Sequence, residues 1–321
     1  MVRLTPPTVP NRIQIGVEEL SKTPMKFREA QYFARYGFRT LLLRQRSPII
    51  AGMPLTDVCN LQCKHCVVAN TGRGHYSFQT IDEFMRHFYD IGARILYLQG
   101  GEIMTWQQGT LNANDVILHA HELGFFRVAA VTNGTLGIPG EADLVWVSLD
   151  GSETVHDSIR GAGTFARMMA NVKASKHKCI NFNMTINRLN AKDVEAVAEI
   201  SKDTSAVHGV SFNFHTPYSG VENMMIPIGE RADIIDRVLR LKKKRFPILN
   251  TEAGLRAMQK NQWRRPVPVI QLVEKGQIYE CCWGREQAGV CENCGYGIIA
   301  ELSQMLSFNI PTIVESLELF N

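Results

Sequence analysis

Seven of the eight cysteines in this 321-residue chain lie in two short clusters, so thiol chemistry is the first chemistry that the sequence suggests. The N-terminus lacks the hydrophobic segment of a signal peptide, and we therefore expect a cytoplasmic protein whose thiols stay reduced. Disulfides are the alternative, but tight cysteine spacing in a cytoplasmic chain more often binds a metal. The clustered residues are Cys59, Cys63, Cys66, Cys281, Cys282, Cys291 and Cys294.

The first cluster has the spacing CxxxCxxC and directly follows the first predicted strand. The thiolates of Cys59, Cys63 and Cys66 can hold an iron–sulfur cluster. Three ligands for four irons leave one iron open, as a catalytic site requires, whereas a structural zinc site is closed by four ligands. His65 could complete a zinc set only if the loop folded back on itself. The prediction is therefore an open iron–sulfur cluster, with zinc as the alternative.

Short apolar segments alternate with helical patterns after residue 50, which implies a parallel sheet, either open or rolled into a partial barrel. The predicted strands are 52–58, 94–99, 127–132, 144–149, 179–186 and 207–214. The predicted helices lie near 80–91, 110–123, 163–176, 191–203 and 229–245. The polar segments that follow the first four strands should meet at one edge of the sheet, where such folds place their ligands.

The CxxxCxxC loop and the segments after the next three strands together resemble the radical S-adenosylmethionine (SAM) superfamily. The residues that carry the resemblance are Gly100, Gly101, Glu102, Thr132, Asn133, Ser148, Asp150 and Arg160. The resemblance implies an α/β fold, a partial (β/α)6 TIM-like barrel, in which a [4Fe–4S] cluster binds SAM. It also implies that an electron donor such as ferredoxin or flavodoxin drives cleavage of SAM to a 5′-deoxyadenosyl radical.

The same resemblance implies roles for individual positions. The glycine pair and Glu102 would receive the ammonium of SAM, with the carboxylate forming a charge-assisted hydrogen bond. Ser148 and Asp150 would contact the ribose, Arg160 would pair with the carboxylate of SAM, and His65 would stack on the adenine. The proline that usually follows the glutamate is absent.

The second cluster is also a metal-binding signature. A zinc knuckle is one interpretation, since four thiolates can close a tetrahedron. Side chains of adjacent residues diverge, so one of Cys281 and Cys282 is expected not to join the other ligands. Behind a core that resembles radical SAM enzymes, this segment resembles the SPASM/twitch module. That resemblance implies a second, auxiliary [4Fe–4S] cluster.

The substrate is the least constrained part of the interpretation. The tail from Cys291 onward resembles the radical SAM proteins of hopanoid biosynthesis, which implies radical addition to, or C–C bond formation on, an isoprenoid lipid. The alternatives are hydrogen abstraction, crosslinking or oxidation of a peptide or small metabolite, and a non-catalytic zinc-binding module. His215 and Tyr218, after the sixth strand, are candidate catalytic groups; a structural loop histidine is the alternative for His215.

Composition narrows the classes of partner. A content of 45% hydrophobic and 21% charged residues is ordinary for a globular protein, and a net charge of +4 is small for a dedicated nucleic-acid binder. No apolar run reaches the roughly eighteen residues of a spanning helix. Residues 25–46 mix aromatic and basic side chains; we expect them to pack across the barrel base, with peripheral membrane contact as the alternative.

The predicted units are 1–49 (arm and helix), 50–245 (core barrel), 246–300 (auxiliary module) and 301–321 (helical tail).

Overall fold

One eight-stranded sheet organises the computed structural model, which describes residues 27–307 and 309–313. In chain order the strands are β1 (Ile50–Thr56), β2 (Ile95–Gly100), β3 (Gln107–Gln108), β4 (Leu111–Asn112), β5 (Arg127–Thr132), β6 (Leu144–Ser148), β7 (Ile180–Ile186), β8 (Val207–Phe214), β9 (Ile270–Glu274) and β10 (Gln277–Glu280). The order across the sheet is β10-β9-β1-β2-β5-β6-β7-β8, and β3 pairs with β4 as a separate hairpin.

Helices fill the connections between the strands. They are α1 (Phe27–Gly37), α2 (Phe78–Asp90), α3 (Ala113–Leu123), α4 (Glu153–Arg160), α5 (Thr164–Ala174), α6 (Val194–Asp203), α7 (Ile228–Lys243), α8 (Glu252–Lys260) and α9 (Gly297–Leu306). A π-helical turn, Phe38–Leu42, continues α1. Short 3-10 turns occur at Ile103–Thr105, Ala191–Asp193, Glu222–Met224 and Trp283–Glu286. Side-chain caps begin several helices; the Ser77 hydroxyl, for example, accepts the Thr80 amide at the start of α2.

The six predicted strands are all present, and neighbours along the chain pair in parallel. Every residue of β1 is buried, as expected for a parallel strand that is covered on both faces. The prediction for 207–214 matches β8 to the residue, and the one for 52–58 lies two residues beyond β1. The predicted fold class is therefore confirmed.

The C-terminal cysteine segment joins both ends of this six-stranded array. Strand β9 pairs in parallel with β1, and β10 then pairs antiparallel with β9. At the opposite end, the amide of Phe214 in β8 donates to the carbonyl of Gly295 at 2.8 Å. The segment 246–300 thus extends the main sheet on one side and reaches its last strand on the other. The domain boundaries proposed from the sequence stay a prediction.

The N-terminal segment divides into a packed part and an exposed part. Tyr32 and Phe33 of α1 contact Phe126 edge to face, with ring centroids 5.3 and 5.9 Å apart, below the start of β5. These aromatic rings pack across the base of the barrel. In contrast, Phe38, Leu42 and Leu43 are 54%, 64% and 52% exposed.

The rest of the predicted N-terminal arm, and residues 314–321 of the predicted helical tail, lie outside the described residues. Within the described residues, no helix has both the length and the apolar character needed to cross a membrane.

Candidate active site

The loop that carries the first three cysteines is anchored by Asp57, which directly follows β1. Its buried carboxylate accepts hydrogen bonds from the Thr71 hydroxyl (2.6 Å) and from the amides of Arg73 (2.9 Å) and Gly74 (2.6 Å). Burial alone would raise the pKa of Asp57, but these hydrogen bonds lower it from its ordinary value of 3.8 to about 2. The Arg73 guanidinium also pairs with Glu274 of β9 at 2.9 Å. The loop is therefore held to both the core and the C-terminal segment.

Hydrogen-bond donors face two of the three thiols in this loop. Cys59 Sγ accepts the amide of Leu61 at 3.4 Å and lies 3.9 Å from Asn133 Nδ2. Cys63 Sγ lies 3.9 Å from Arg160 Nη1. Burial raises the pKa of the Cys63 thiol to about 11, and the guanidinium opposes that rise. Donors and a cation around sulfur stabilise thiolates, the form that binds metal.

All eight cysteines, each in the described part of the chain, are free.

Close contacts with the end of β1 explain why Gly100 and Gly101, at the end of β2, are glycines. A Cβ at Gly100 would collide with the carbonyl of Thr56, and one at Gly101 would collide with the carbonyls of Asp57 and Val58. The amide of Gly101 donates to Thr56 at 2.8 Å. Glycine is therefore required for the ends of β1 and β2 to approach, and this approach brings the next residue against the cysteine loop.

That next residue, Glu102, is buried and held from the neighbouring strand. Its Oε1 accepts the Thr132 hydroxyl at 2.7 Å and the Met104 amide at 3.1 Å, and its Oε2 accepts the Asn133 amide at 2.7 Å. Burial raises the pKa of Glu102 despite these bonds. A carboxylate offers about four acceptor positions, so roughly one remains for a ligand cation. Thr132 and Asn133 thus orient Glu102, and Asn133 also reaches the thiol of Cys59.

Asp150 and Arg160 form a buried ion pair beside the cysteine loop. Arg160 Nε donates to Asp150 Oδ2 at 2.6 Å. Burial would raise the pKa of Asp150, but the guanidinium and the nearby imidazoles outweigh it and lower the pKa. The structure pairs the two residues with each other, and the contacts with SAM that the resemblance implies stay a prediction.

Two histidines flank this ion pair. His65 Nε2 lies 3.9 Å from Asp150 Oδ2, and the buried Nδ1 of His65 has no partner among the described residues. His156 Nδ1 accepts the amide of Asp150 at 3.3 Å. Burial lowers the pKa of both imidazoles to about 4, so both are neutral at pH 7. Ser148, at the end of β6, is half-buried and lies opposite Asn183 of β7.

The second cysteine cluster separates its two adjacent members. Cys281 has a φ of 69°, a left-handed conformation that is unusual for a residue other than glycine. Its side chain packs with Cys294 in an apolar cluster, and burial raises the pKa of the Cys281 thiol to about 12. Cys282 Sγ instead accepts the amide of Gly284 at 3.3 Å. Cys294 likewise bonds to the backbone two residues on, as Cys59 does in the first loop.

Of the two candidate catalytic residues, Tyr218 lies beside this second cluster, and the His215 imidazole is close enough to His65 of the first site to act on its pKa. Tyr218 Oη lies 3.0 Å from Cys282 Sγ and 3.1 Å from Tyr296 Oη, and its ring stacks on Trp283 at 4.4 Å. His215 is buried, and its Nε2 lies 3.0 Å from the carbonyl of Val221. This hydrogen bond supports the alternative that His215 is a structural loop histidine.

Several residues that shape the two sites were not identified from the sequence. Asp57 follows β1 and belongs to no motif, and His156 lies four residues before Arg160 in α4. Arg231 and Arg265 lie near the second cluster and resemble ordinary basic residues when read in sequence. The sequence offered a positional signal for Asp57 alone, which directly follows β1 and lies two residues before Cys59.

The donor set fits the cofactors that the sequence resemblance implies. Three loop thiols, two of them faced by N–H donors, suit a thiolate-bound cluster. The unpartnered Nδ1 of His65 and the spare acceptor position of Glu102 suit a polar ligand beside it. In the described ranges, no three His, Cys, Asp or Glu side chains converge on a position for a single metal ion.

A parallel sheet with thiols, a buried carboxylate and a buried ion pair at its C-terminal edge defines a partial-barrel protein that binds a cofactor there. Residues 53–201 match the family model described as the radical SAM superfamily. The match to this superfamily therefore covers residues 53–201, and members of the superfamily use a [4Fe–4S] cluster and SAM.

Curated relatives match about half of the chain. An AdoMet-dependent heme synthase of Methanosarcina barkeri is 30% identical over 183 residues, covering 52% of this chain and 51% of that protein. The subtilosin biosynthesis protein AlbA of Bacillus subtilis is 29% identical over 174 residues, covering 50% of this chain and 38% of that protein. The chain thus spans about half, or less, of the length of these relatives.

Solved structures share the fold at low sequence identity. SuiB of Streptococcus suis, bound to the precursor peptide SuiA, has a TM-score of 0.61 and 12% identity, covering 83% of this chain and 66% of that one. Methylornithine synthase (PylB) has a TM-score of 0.54 and 13% identity, covering 91% and 90%. At these identities the likeness concerns the fold alone.

Proposed function

We propose that this protein reductively cleaves SAM and directs the resulting 5′-deoxyadenosyl radical to an organic substrate. The observation that carries the proposal is the meeting of three elements at one edge of the sheet: the CxxxCxxC loop, the oriented carboxylate of Glu102, and the Asp150–Arg160 pair. Each element follows a different strand, and asparagine or arginine donors join them to the thiols of Cys59 and Cys63.

Each element has a separate task. Cys59, Cys63 and Cys66 hold the [4Fe–4S] cluster, which when bound supplies the electron that breaks the S–C5′ bond of SAM. The spare acceptor position of Glu102 receives the ammonium of SAM, because Thr132 and the Asn133 amide fix the carboxylate. The neutral ring of His65 offers a surface for the adenine.

The Asp150–Arg160 pair mainly holds a cation in place beside the cysteine loop. Arg160 keeps a guanidinium beside the sulfur of Cys63, and Asp150 keeps that cation from carrying an uncompensated buried charge. The remaining N–H donors of Arg160 are available to the carboxylate of SAM, and Ser148 remains a candidate for the ribose. The buried surroundings exclude water from the radical.

The substrate class that we favour is a peptide or a small metabolite. The relatives named above are a heme synthase and a bacteriocin biosynthesis protein, and the sporulation killing factor maturation protein SkfB of Bacillus subtilis is 28% identical over 166 residues. None of these names concerns a lipid. Modification of an isoprenoid lipid is kept as the second candidate because of the exposed apolar turn described below.

The second cysteine segment is proposed to hold an auxiliary [4Fe–4S] cluster. We favour Cys282, Cys291 and Cys294 as its ligands, because Cys282 and Cys294 share with Cys59 a backbone hydrogen bond from two residues on. Cys281 is then a buried apolar residue. A small electron carrier such as ferredoxin or flavodoxin supplies the electrons.

His215 and Tyr218 are better suited to support than to catalysis. His215 is buried against a backbone carbonyl, and Tyr218 bonds toward Cys282. Substituting His215 by Ala should reduce stability and leave the products of the folded enzyme unchanged. A folded variant that binds SAM normally and forms no product would restore it to the catalytic group.

The experiment that tests the function follows the adenosyl group by mass spectrometry. Anaerobically reconstituted protein receives SAM and dithionite, with a peptide extract, a lipid extract or neither. Free 5′-deoxyadenosine is expected in every case, with a peptide or metabolite of altered mass in the first. A lipid that gains the adenosyl mass would establish the second candidate. Absence of every product, with iron bound, would falsify the proposal.

Peripheral membrane contact is a separate proposal that rests on the π-helical turn. Phe38, Leu42 and Leu43 are exposed, and four exposed arginines surround them in sequence, with no acidic residue between Ala30 and Thr56. An apolar tip with basic neighbours suits an anionic bilayer. Substituting the three apolar residues by Ser should abolish co-sedimentation with phosphatidylglycerol vesicles; unchanged sedimentation would remove the proposal.

A further inference from the structure

Arg231 is a buried cation beside the second cysteine segment. It lies in the first turn of α7 and is 1% exposed. Its guanidinium donates to four backbone carbonyls: Ile226 (3.0 Å), Asn293 (2.9 Å), Cys294 (3.0 Å) and His215 (3.5 Å). Across residues 27–307 and 309–313, no Asp or Glu forms an ion pair with it.

This placement is unfavourable for an isolated charge. Burying an unpaired ion costs several kcal/mol, and carbonyl dipoles offset only part of that cost. The first turn of a helix is also the positive end of its dipole, which disfavours a cation. A guanidinium held there indicates that the folded protein places a negative charge nearby.

A second arginine approaches the same cysteines from another segment. Arg265 Nη2 donates to Asn261 Oδ1 and to the Glu292 carbonyl, each at 2.8 Å. Its Nη1 is buried and has no hydrogen-bond partner in the described structure. The charge of Arg265 acts on the thiols of Cys291 and Cys294. The two guanidiniums therefore share one neighbourhood that, among the described residues, supplies neither of them with a carboxylate.

We propose that Arg231 and Arg265 are positioning residues of the second cysteine site and supply the positive charge that an anionic, thiolate-bound iron–sulfur cluster requires there. The inference rests on the auxiliary cluster proposed above. Each thiolate ligand contributes one negative charge to the cluster. This negative charge compensates the two guanidiniums, which have no carboxylate partner among the described residues. The cations make one-electron reduction of the cluster easier, because they stabilise the added negative charge.

A purely structural role makes a different prediction. If Arg231 only tied the 293–294 carbonyls to α7, its loss would lower stability and leave the reduction potential of a bound cluster unchanged. Arg265 separates the two cases well, because it is only partly buried and its removal should leave the fold intact. Arg231→Lys keeps the charge and loses the forked donor geometry.

The test uses the full chain with Cys59, Cys63 and Cys66 replaced by Ala, so that all iron belongs to the second site. Into this parent go Arg265→Met, Arg231→Lys and Arg231→Met. Arg237→Met is the control, since Arg237 lies on the same helix and pairs with Glu195 at the surface. Iron and sulfide content, and a dithionite redox titration followed by electron paramagnetic resonance, are measured for each.

We expect Arg265→Met to disfavour reduction at least tenfold, a shift of about 59 mV to more negative potential for one electron. Arg231→Lys should stay within threefold of the parent, and Arg237→Met should match it. Arg231→Met should bind less iron than the parent, or shift the reduction potential further than Arg265→Met does. If Arg231→Met does not fold, Arg265→Met and Arg231→Lys decide between the two roles.

Two results would overturn the inference, and they are distinguishable. The first is that, in an iron-loaded parent, Arg265→Met leaves the reduction potential unchanged or Arg231→Lys shifts the reduction equilibrium tenfold. Either outcome would contradict the proposed role of the two arginines and leave the auxiliary cluster itself supported. A parent that takes up no iron would contradict the auxiliary cluster and the inference with it.

Discussion

The two cysteine regions offer the same type of candidate ligand atom, the cysteine sulfur, in opposite electrostatic surroundings. At the first loop, Arg160 is paired with Asp150 at 2.6 Å, and a second buried carboxylate, Glu102, is close by. At the second segment, Arg231 and Arg265 have no carboxylate partner in the described ranges. In the first region, carboxylates compensate the charge of the buried arginine before any cofactor binds. In the second region, the thiolates are the groups that can compensate the charges of the two arginines.

This difference indicates how each region meets its ligands. A balanced site with a spare carboxylate acceptor is suited to exchange a cationic ligand such as SAM in every turnover. A site with excess buried cation favours a resident anion. The first region is therefore expected to be ordered without its cluster, and the second to depend on its own.

The largest expected effect separates the regions by activity. Replacing Cys59, Cys63 and Cys66 by Ala should remove formation of 5′-deoxyadenosine completely, because no iron is left to bind SAM. Replacing Cys282, Cys291 and Cys294 should retain SAM cleavage and remove substrate modification. Chromatography of 5′-deoxyadenosine and mass spectrometry of the substrate measure the two effects, with Cys179→Ala, at the cysteine outside both clusters, as the control. Equal loss in the two triple variants would mean that the regions act as one site.

The next effect concerns the stability of the apoprotein. Asp150→Asn leaves Arg160 buried without its counter-charge, and breaking such a pair costs about 3–5 kcal/mol of unfolding free energy. Arg265→Met removes an unpaired cation and should cost less than about 1 kcal/mol. Urea unfolding under anaerobic conditions compares the two. A larger loss for Arg265→Met would reverse the proposed assignment of balanced and unbalanced regions.

The sequence was sufficient for the features that depend on local pattern. Six strands follow from continuous apolar runs, and the motif residues lie at their C-terminal ends because parallel strands meet at one edge. Pairings between distant or separately folded segments could not be predicted in this way. Strand β9 joins β1 across more than two hundred residues, and β1 itself contains no signal for that partner.

The charges illustrate the same limit at the level of single residues. Arg160 carries a motif, but its pairing with Asp150 depends on α4, a helix that the sequence pattern did not indicate. Arg231 occupies a helix rich in charged residues and reads as exposed. Its burial depends on the 293–294 backbone, which reaches α7 only through the tertiary fold.

A smaller effect tests the spare acceptor position of Glu102. Glu102→Gln removes the charge that pairs with the ammonium of SAM, and a hydrogen bond to a charged group is worth about 1.5–3 kcal/mol. We expect the Kd for SAM to rise roughly ten- to hundredfold, as measured by anaerobic equilibrium dialysis. Glu292→Gln, beside Cys291 in the second region, is the matched control and should leave the Kd unchanged. Unaltered binding in both variants would remove Glu102 from the SAM site.

The smallest effect is a pH dependence that belongs to the first region alone. The folded-state pKa of Asp57, about 2, lies below the ordinary value of 3.8, so its carboxylate stabilises the apoprotein above about pH 4. That contribution is lost as the pH falls from about 4 to about 2, because the unfolded chain then binds more protons. Asp57→Asn should flatten the stability curve of the apoprotein in this interval and leave it parallel to that of the unchanged protein at higher pH. An equally steep fall in the variant would mean that other carboxylates dominate, and that the cysteine loop does not depend on Asp57 for its order.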